Sequence, residues 1–131
     1  MVTDAAHENV AEYVRRVFAS FDARDVQTFA AFMTDDVLLR LGNTPTTRGK
    51  AAFVEAVEAF TGSVAGTRHE ILNLFADGDL VAVEFDVHYT RHDGQVVTIP
   101  CCNVLRLRDA LIAEYRSYVD ATPVYAEPEA T

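Results

Sequence analysis

From Leu80 to Tyr89 the chain reads Leu-Val-Ala-Val-Glu-Phe-Asp-Val-His-Tyr, with a large apolar residue at every second position from Val81 onward. A period of two marks a β-strand whose side chains alternate between two faces. One face carries Val81, Val83, Phe85, Val87 and Tyr89; the other carries Ala82, Glu84, Asp86 and His88. A row of large apolar groups must be covered, so this strand demands a packed layer on at least one side. The three ionisable groups on the opposite face have two readings. In water they form a solvated polar row; under a covering layer they are candidates for acid–base chemistry in a pocket.

The neighbouring segments supply the layers. Val10, Val14, Val17, Phe18 and Phe21 recur at helical spacing, which predicts a first helix over about Asp4 to Phe21 with Thr3 or Asp4 as its cap. Asp25 is the expected N-cap of a short second helix that buries Val26, Phe29, Ala30 and Met33 and stops at Thr34-Asp35-Asp36. Val37 to Leu41 reads as a short strand, Gly42 to Gly49 as a loop, and Lys50 to Phe60 as a third helix with Phe53, Val54, Val57 and Phe60 on one side. After the Gly62–Gly66 linker the period changes to that of strands: Thr67 to Phe75, Leu80 to Arg91, Val96 to Arg108 and Leu111 to Asp120. Asp77-Gly78, Asp93-Gly94 and Arg108-Asp109-Ala110 are the turns between them. Helices followed by a meander indicate an α+β fold. It forms a single domain over 1–131, with an ordered core of about 4–125 that ends near Pro123. The helices can cover one face of the sheet. The other, read as the face of Val81, Val83, Phe85, Val87 and Tyr89, is expected to bury itself against a second copy in a homodimer.

A formal net charge of −9 argues against nucleic acid or an anionic membrane surface as partner, since both select basic patches. No apolar run approaches the ~20 residues of a membrane span. Met1 to Glu12 is polar and acidic, without the features of a secretory leader, so a cytoplasmic location is expected. Cys101 and Cys102 are neighbours on a strand and point to opposite faces, which suits free thiols in a reducing compartment rather than a disulfide.

Phe32-Met33-Thr34-Asp35-Asp36-Val37 after the second helix, Gly49 before the third, and the closing Glu114-Tyr115-Arg116-Ser117-Tyr118-Val119-Asp120 carry a family likeness. Over about Glu8 to Tyr125 the chain resembles the SnoaL-like, polyketide cyclase-like branch of the nuclear transport factor 2-like superfamily, related to ketosteroid isomerase and limonene-epoxide hydrolase. The resemblance implies a cone-shaped, curved antiparallel or mixed sheet packed on three N-terminal helices, a cystatin-like α+β barrel with a pocket inside the cone. It also implies helices over the face that carries Glu84, Asp86 and His88. Members include isomerases, epoxide hydrolases, cyclases, dehydratases and pure binding modules, so the fold does not assign a reaction.

Carried over residue by residue, the resemblance is selective. The isomerase positions for the proton-shuttling aspartate, the tyrosine and the protonated aspartic acid fall at Leu41, Val17 and Asn103, which disfavours that route. The two aspartates of the epoxide hydrolases match Asp86 and Asp120, but their bridging arginine falls at Glu84 and their tyrosine and asparagine at Leu39 and Leu41. Three carboxyl groups in one poorly solvated site could not all ionise. The acid–base aspartate of the cyclases corresponds to Asp120.

The function expected from these residues is cofactor-independent acid–base chemistry on a small hydrophobic molecule: ring closure, isomerisation, dehydration or epoxide hydration. Asp120 is the expected acid/base and Asp86 its partner carboxylate, with Glu84 in the same row. Asn103 and Tyr118 are the expected hydrogen-bond donors and His88 a tuner of the carboxylates. Each has a structural alternative: Asp120 as a turn cap, the row of Glu84, Asp86 and His88 as a wet face, Asn103 as a satisfied core amide. His69 and His92 read as surface residues, and Tyr13 and Tyr115 as core or interface aromatics. No metal or other cofactor is expected. The rival reading is a non-catalytic small-ligand-binding or dimerisation module.

Overall fold

A computed structural model describes residues 4–126. Helix α1 (Asp4–Asp22) turns its apolar stripe inward, so that Val14, Val17, Phe18 and Phe21 are buried. The cap expected of Thr3 or Asp4 falls outside the described side chains. The short helix α2 (Val26–Ala31) is capped as its sequence requires: Asp25 Oδ1 accepts from the Thr28 N–H at 3.1 Å and Oδ2 from the Thr28 hydroxyl at 2.7 Å. Helix α3 (Lys50–Gly62) buries Phe53, Val57 and Thr61.

Six strands form one curved, unclosed sheet. They are β1 (Met33–Leu41), β2 (Thr47–Arg48), β3 (Gly66–Asp77), β4 (Leu80–Thr90), β5 (Val96–Arg108) and β6 (Leu111–Val119), in the spatial order β2-β1-β6-β5-β4-β3. All neighbours are antiparallel except β1 and β6, which run parallel, so the sheet is mixed. The α+β architecture expected from the sequence is the observed one. A four-residue helix, α4 (Thr122–Tyr125), follows β6 with Pro123 in its first turn, where proline is tolerated.

Two local readings change. Met33, placed at the end of α2 by its spacing, instead begins β1, and Thr34-Asp35-Asp36 lies within that strand. The β1–β6 register shifts between Met33 and Leu38, so this acidic stretch occupies an irregularity that lets it leave the ladder. The other change concerns β4. Val81, Val83, Phe85, Val87 and Tyr89 are not an open face for a second copy: all lie between 0% and 4% exposed within the single chain. Phe85 meets Phe18 of α1 at 4.8 Å between ring centroids, and Tyr89 meets Phe60 of α3 at 5.8 Å. The helices therefore cover the apolar row, because burying each such side chain contributes about 1.5–3 kcal/mol and needs no partner. The outer face of β4 is left with Ala82, Glu84, Asp86 and His88.

That outer face is a ladder of polar contacts. Asn73 Nδ2 donates to Glu84 Oε1 at 2.7 Å, and the His88 ring bridges Thr98 Oγ1 at 2.7 Å and Glu70 Oε1 at 2.9 Å. Cross-strand pairs of this kind help fix register on a solvated face.

The placement of β4 generates a test. Val83→Asp buries an unpaired charge where Val83 is 0% exposed, and should destabilise the fold by about 4 kcal/mol or more. Urea denaturation checks it; a folded variant that merely changes its association state would contradict the inward placement. The β5–β6 turn generates another. Asp109 and Ala110 have φ of 53° and 67°, the left-handed pair that a two-residue hairpin loop demands and that alanine adopts at a cost. Ala110→Gly should stabilise the protein by about 0.5–1 kcal/mol, read in the same denaturation assay.

Candidate active-site cavity

The inner, concave side of the sheet and the three larger helices enclose a cavity of about 600 Å³. Phe21 of α1, Phe29 of α2 and Phe53, Val57 and Phe60 of α3 form its helical wall. Leu39 and Leu41 of β1, His69 of β3, Tyr89 of β4, Cys101 and Asn103 of β5, and Tyr115, Ser117 and Val119 of β6 form its sheet wall. The mouth lies between the Gly42–Thr44 loop and the segment from Asp120 to Tyr125. Gly42 has φ +53°, and a Cβ there would meet the Val119 carbonyl oxygen at 2.9 Å. Glycine is required at this point for the loop to close against β6.

Inside, the aromatic rings touch one another: Phe53 lies 5.5 Å from Phe29 and 6.0 Å from Tyr115. Against this apolar wall stand two polar groupings. The first is on β5 and β6. Asn103, 1% exposed, donates through Nδ2 to the Tyr115 hydroxyl at 3.1 Å and accepts from Cys101 Sγ at 3.2 Å. Cys101 Sγ also lies 3.4 Å from Ser117 Oγ. Because Tyr115 Oη is an acceptor for Asn103, its own proton is free of any acceptor among the described residues and can be given to a ligand. Burial raises the Tyr115 phenol well above its ordinary pKa, and burial likewise raises Tyr89 and the Cys101 thiol, so all three stay protonated at neutral pH.

The second grouping joins α1 to β3. His69 Nδ1 lies 2.7 Å from Asp22 Oδ1, the backbone N–H of His69 donates to Asp22 Oδ2 at 2.7 Å, and the Thr67 hydroxyl donates to Oδ1 at 2.8 Å. The imidazole is packed by the rings of Phe18, Phe21 and Phe85 at 5.0–5.2 Å. Its side chain is 8% exposed.

The residues singled out from the sequence divide between the two sides of the sheet. Asn103 is inside the cavity, with its amide donating to Tyr115. Asp120 is at the mouth, exposed, with its Oδ1 accepting from the Thr122 N–H at 3.0 Å. Hydrogen bonds from the Thr122 side chain and backbone hold its carboxyl below the usual carboxylate range, so it is ionised at neutral pH. Glu84, Asp86 and His88 do not line the cavity; they occupy the outer face of β4, so no cavity holds Glu84, Asp86 and Asp120 together. Tyr118 is 55% exposed and also points outward. Tyr118 and Asp120 share a parity in the sequence, but β6 ends at Val119, and the turn into α4 swings Asp120 to the mouth while Tyr118 stays outside.

Two cavity groups were read otherwise. The sequence reads Tyr115 as a core or interface aromatic and His69 as a surface residue, whereas both line the cavity. The available signal for His69 was its shared parity with Thr67 and Ile71, while the charged Arg68 and Glu70 take the other side. His92 does lie in the β4–β5 hairpin at the surface, bonded to the Gly62 carbonyl oxygen at 3.0 Å. Among the described residues no three His, Cys, Asp or Glu side chains converge as a metal-ligand set, and no helix is long and apolar enough to cross a membrane.

The same frame recurs in solved structures. TerC, crystallised with polyporic acid, superposes with a TM-score of 0.76 at 20% identity, over 88% of this chain and 94% of that one. An LEH-like epoxide hydrolase of M. tuberculosis gives 0.73 at 22% identity, over 87% and 84%. A nuclear transport factor 2-like protein from Burkholderia pseudomallei gives 0.77 at 17% identity, over 86% and 92%. At such identities the likeness is one of fold. No curated protein matches the chain. The family model of the SnoaL-like domain matches residues 14–115, from the middle of α1 to the cavity tyrosine of β6, and the chain therefore belongs to the SnoaL-like family.

Proposed function

We propose that this protein binds a small hydrophobic molecule in the cavity between helices and sheet and carries out cofactor-independent acid–base chemistry on it, of the cyclase, isomerase, dehydratase or epoxide hydrolase class. The observation that carries the reading is the cavity itself. Its 600 Å³ suit a ligand of one to three rings, and its wall is aromatic and aliphatic with a few convergent polar groups. In this reading Tyr115, backed by Asn103, supplies a hydrogen bond to an oxygen of the ligand. The ionised Asp120 exchanges protons between the mouth and water. Asp86, Glu84, His88 and Tyr118 have no part in the chemistry, because the sheet stands between them and the ligand. The pairing of Asp120 with Thr122 favours a second reading, in which the same cavity binds without catalysis.

The free thiols Cys101 and Cys102 support a reducing, cytoplasmic setting. We keep the homodimer as part of the proposal with a different seat. The outer sheet face, where Phe75 is 63% and Tyr118 55% exposed, takes the place of the buried β4 row. Sedimentation of the wild type at micromolar concentration should give a dimer that Tyr118→Asp weakens; a wild-type monomer would contradict it.

Binding is tested with N-phenyl-1-naphthylamine, a neutral apolar fluorophore. Wild type should bind it saturably. Val57→Phe, which adds bulk on the cavity wall, should weaken binding by about tenfold at a similar melting temperature. Asp86→Asn should leave it unchanged. No binding by wild type, or equal binding by Val57→Phe, would overturn the cavity as the ligand site.

A further inference from the structure

We propose that His69 is the general base of this cavity and that Asp22 is its positioning residue. The inference rests on the reading of the cavity as an acid–base site and names the group that takes the proton. A carboxylate only accepts hydrogen bonds, so the 2.7 Å contact to Asp22 Oδ1 places a proton on His69 Nδ1. The lone pair is then on Nε2, which has no hydrogen-bond partner among the described residues, in a ring that lines the cavity. A base oriented by a carboxylate on its far nitrogen is the arrangement that lets an imidazole accept a proton and stabilises the imidazolium that forms.

The other titratable groups around the cavity do not compete for this role. Tyr89, Tyr115 and Cys101, facing it from β4, β6 and β5, are held protonated by burial. Tyr125, at the mouth, is a phenol. Asp120 is a base, but an exposed and hydrogen-bonded one. Asp22 already accepts three hydrogen bonds from β3 and is committed to holding the imidazole.

Asp22 is also badly placed for helix stability. It is the last residue of α1, where the helix dipole disfavours an anion, and no basic residue in that turn offsets it. A residue that breaks a local rule while fixing a histidine inside a cavity is the pattern expected of a functional site. The step is simple in its balance: the substrate's acidic C–H gives its proton to Nε2, the C–H electron pair stays on the substrate, and the imidazolium faces the Asp22 carboxylate.

The test uses 5-nitrobenzisoxazole, whose ring opens when a base removes its single heterocyclic C–H. The electron pair completes a nitrile, the N–O bond breaks, and a coloured cyanonitrophenolate leaves. Wild type should turn it over saturably. His69→Gln should lower kcat by about 10²-fold or more with little change in KM. Asp22→Asn should lower kcat by about tenfold or more with KM and naphthylamine binding little changed, a split that lost packing alone would not produce. His92→Gln, on the surface, should match wild type. Naphthylamine binding, measured on each variant, separates the two levels of the argument. If wild type does not bind, the cavity reading fails. If it binds but accelerates ring opening no more than free imidazole, or if His69→Gln keeps the rate, the assignment of His69 fails. Nitrogen NMR of wild type serves should a variant not fold: Nδ1 protonated and Nε2 bare is the expected tautomer, and the reverse would overturn the proposal.

Discussion

The packing of the β4 apolar row against α1 and α3 is the contact from which the rest of the structure follows. Val81, Val83, Phe85, Val87 and Tyr89 are all but removed from solvent, and Phe18 and Phe60 reach across to Phe85 and Tyr89. Once that row faces the helices, the period of two dictates the remainder. Glu84, Asp86 and His88 must stand outside, and on the flanking strands His69, Cys101 and Asn103 must stand inside. One choice of face on one strand thus determines which polar residues share the cavity and which share the water.

The cavity is a gap in that core where the curved sheet leaves the helices. Its polar groups lie on different elements: Asn103 and Tyr115 on β5 and β6, Asp22 and His69 across the α1–β3 junction, Asp120 at the end of β6. A buried polar group persists only where hydrogen bonds satisfy it, and Asn103, Tyr115 and His69 each have such partners. The Tyr115 hydroxyl proton and His69 Nε2 are left without a protein partner among the described residues, on groups that line an aromatic space.

Long periodic segments were legible in the sequence. The helices, the Val96–Arg108 strand with its exact bounds and the α+β class follow from spacing, and the family likeness rests on a few motif residues. Elements of two and four residues, β2 and α4, have no period to detect. The site was less legible because alternation identifies two faces without saying which one meets the helices. Reading the β4 polar row as covered and its apolar row as open inverted the two faces of the strand, and with them the expected seat of a second copy. Tyr118 and Asp120 part company for a different reason: a parity argument holds only while the strand lasts, and β6 stops between them, leaving Tyr118 outside and Asp120 at the cavity. His69 was hidden by charged neighbours that face the other way, and Asp22 by its place at a helix end, where an acidic residue reads as a stop signal. The Asp22–His69 contact joins residues far apart in sequence and depends on where α1 ends over β3, which no local pattern encodes.

The central claim is that the concave side of the sheet is the working side of this protein. A crystal structure of the protein soaked with N-phenyl-1-naphthylamine tests it most directly. The rings should lie between the helical wall of Phe29 and Phe53 and the sheet, within contact of both Tyr115 and His69. Density for the molecule on the outer face instead, against Glu84, His88 and Tyr118, with the cavity unfilled, would contradict the claim.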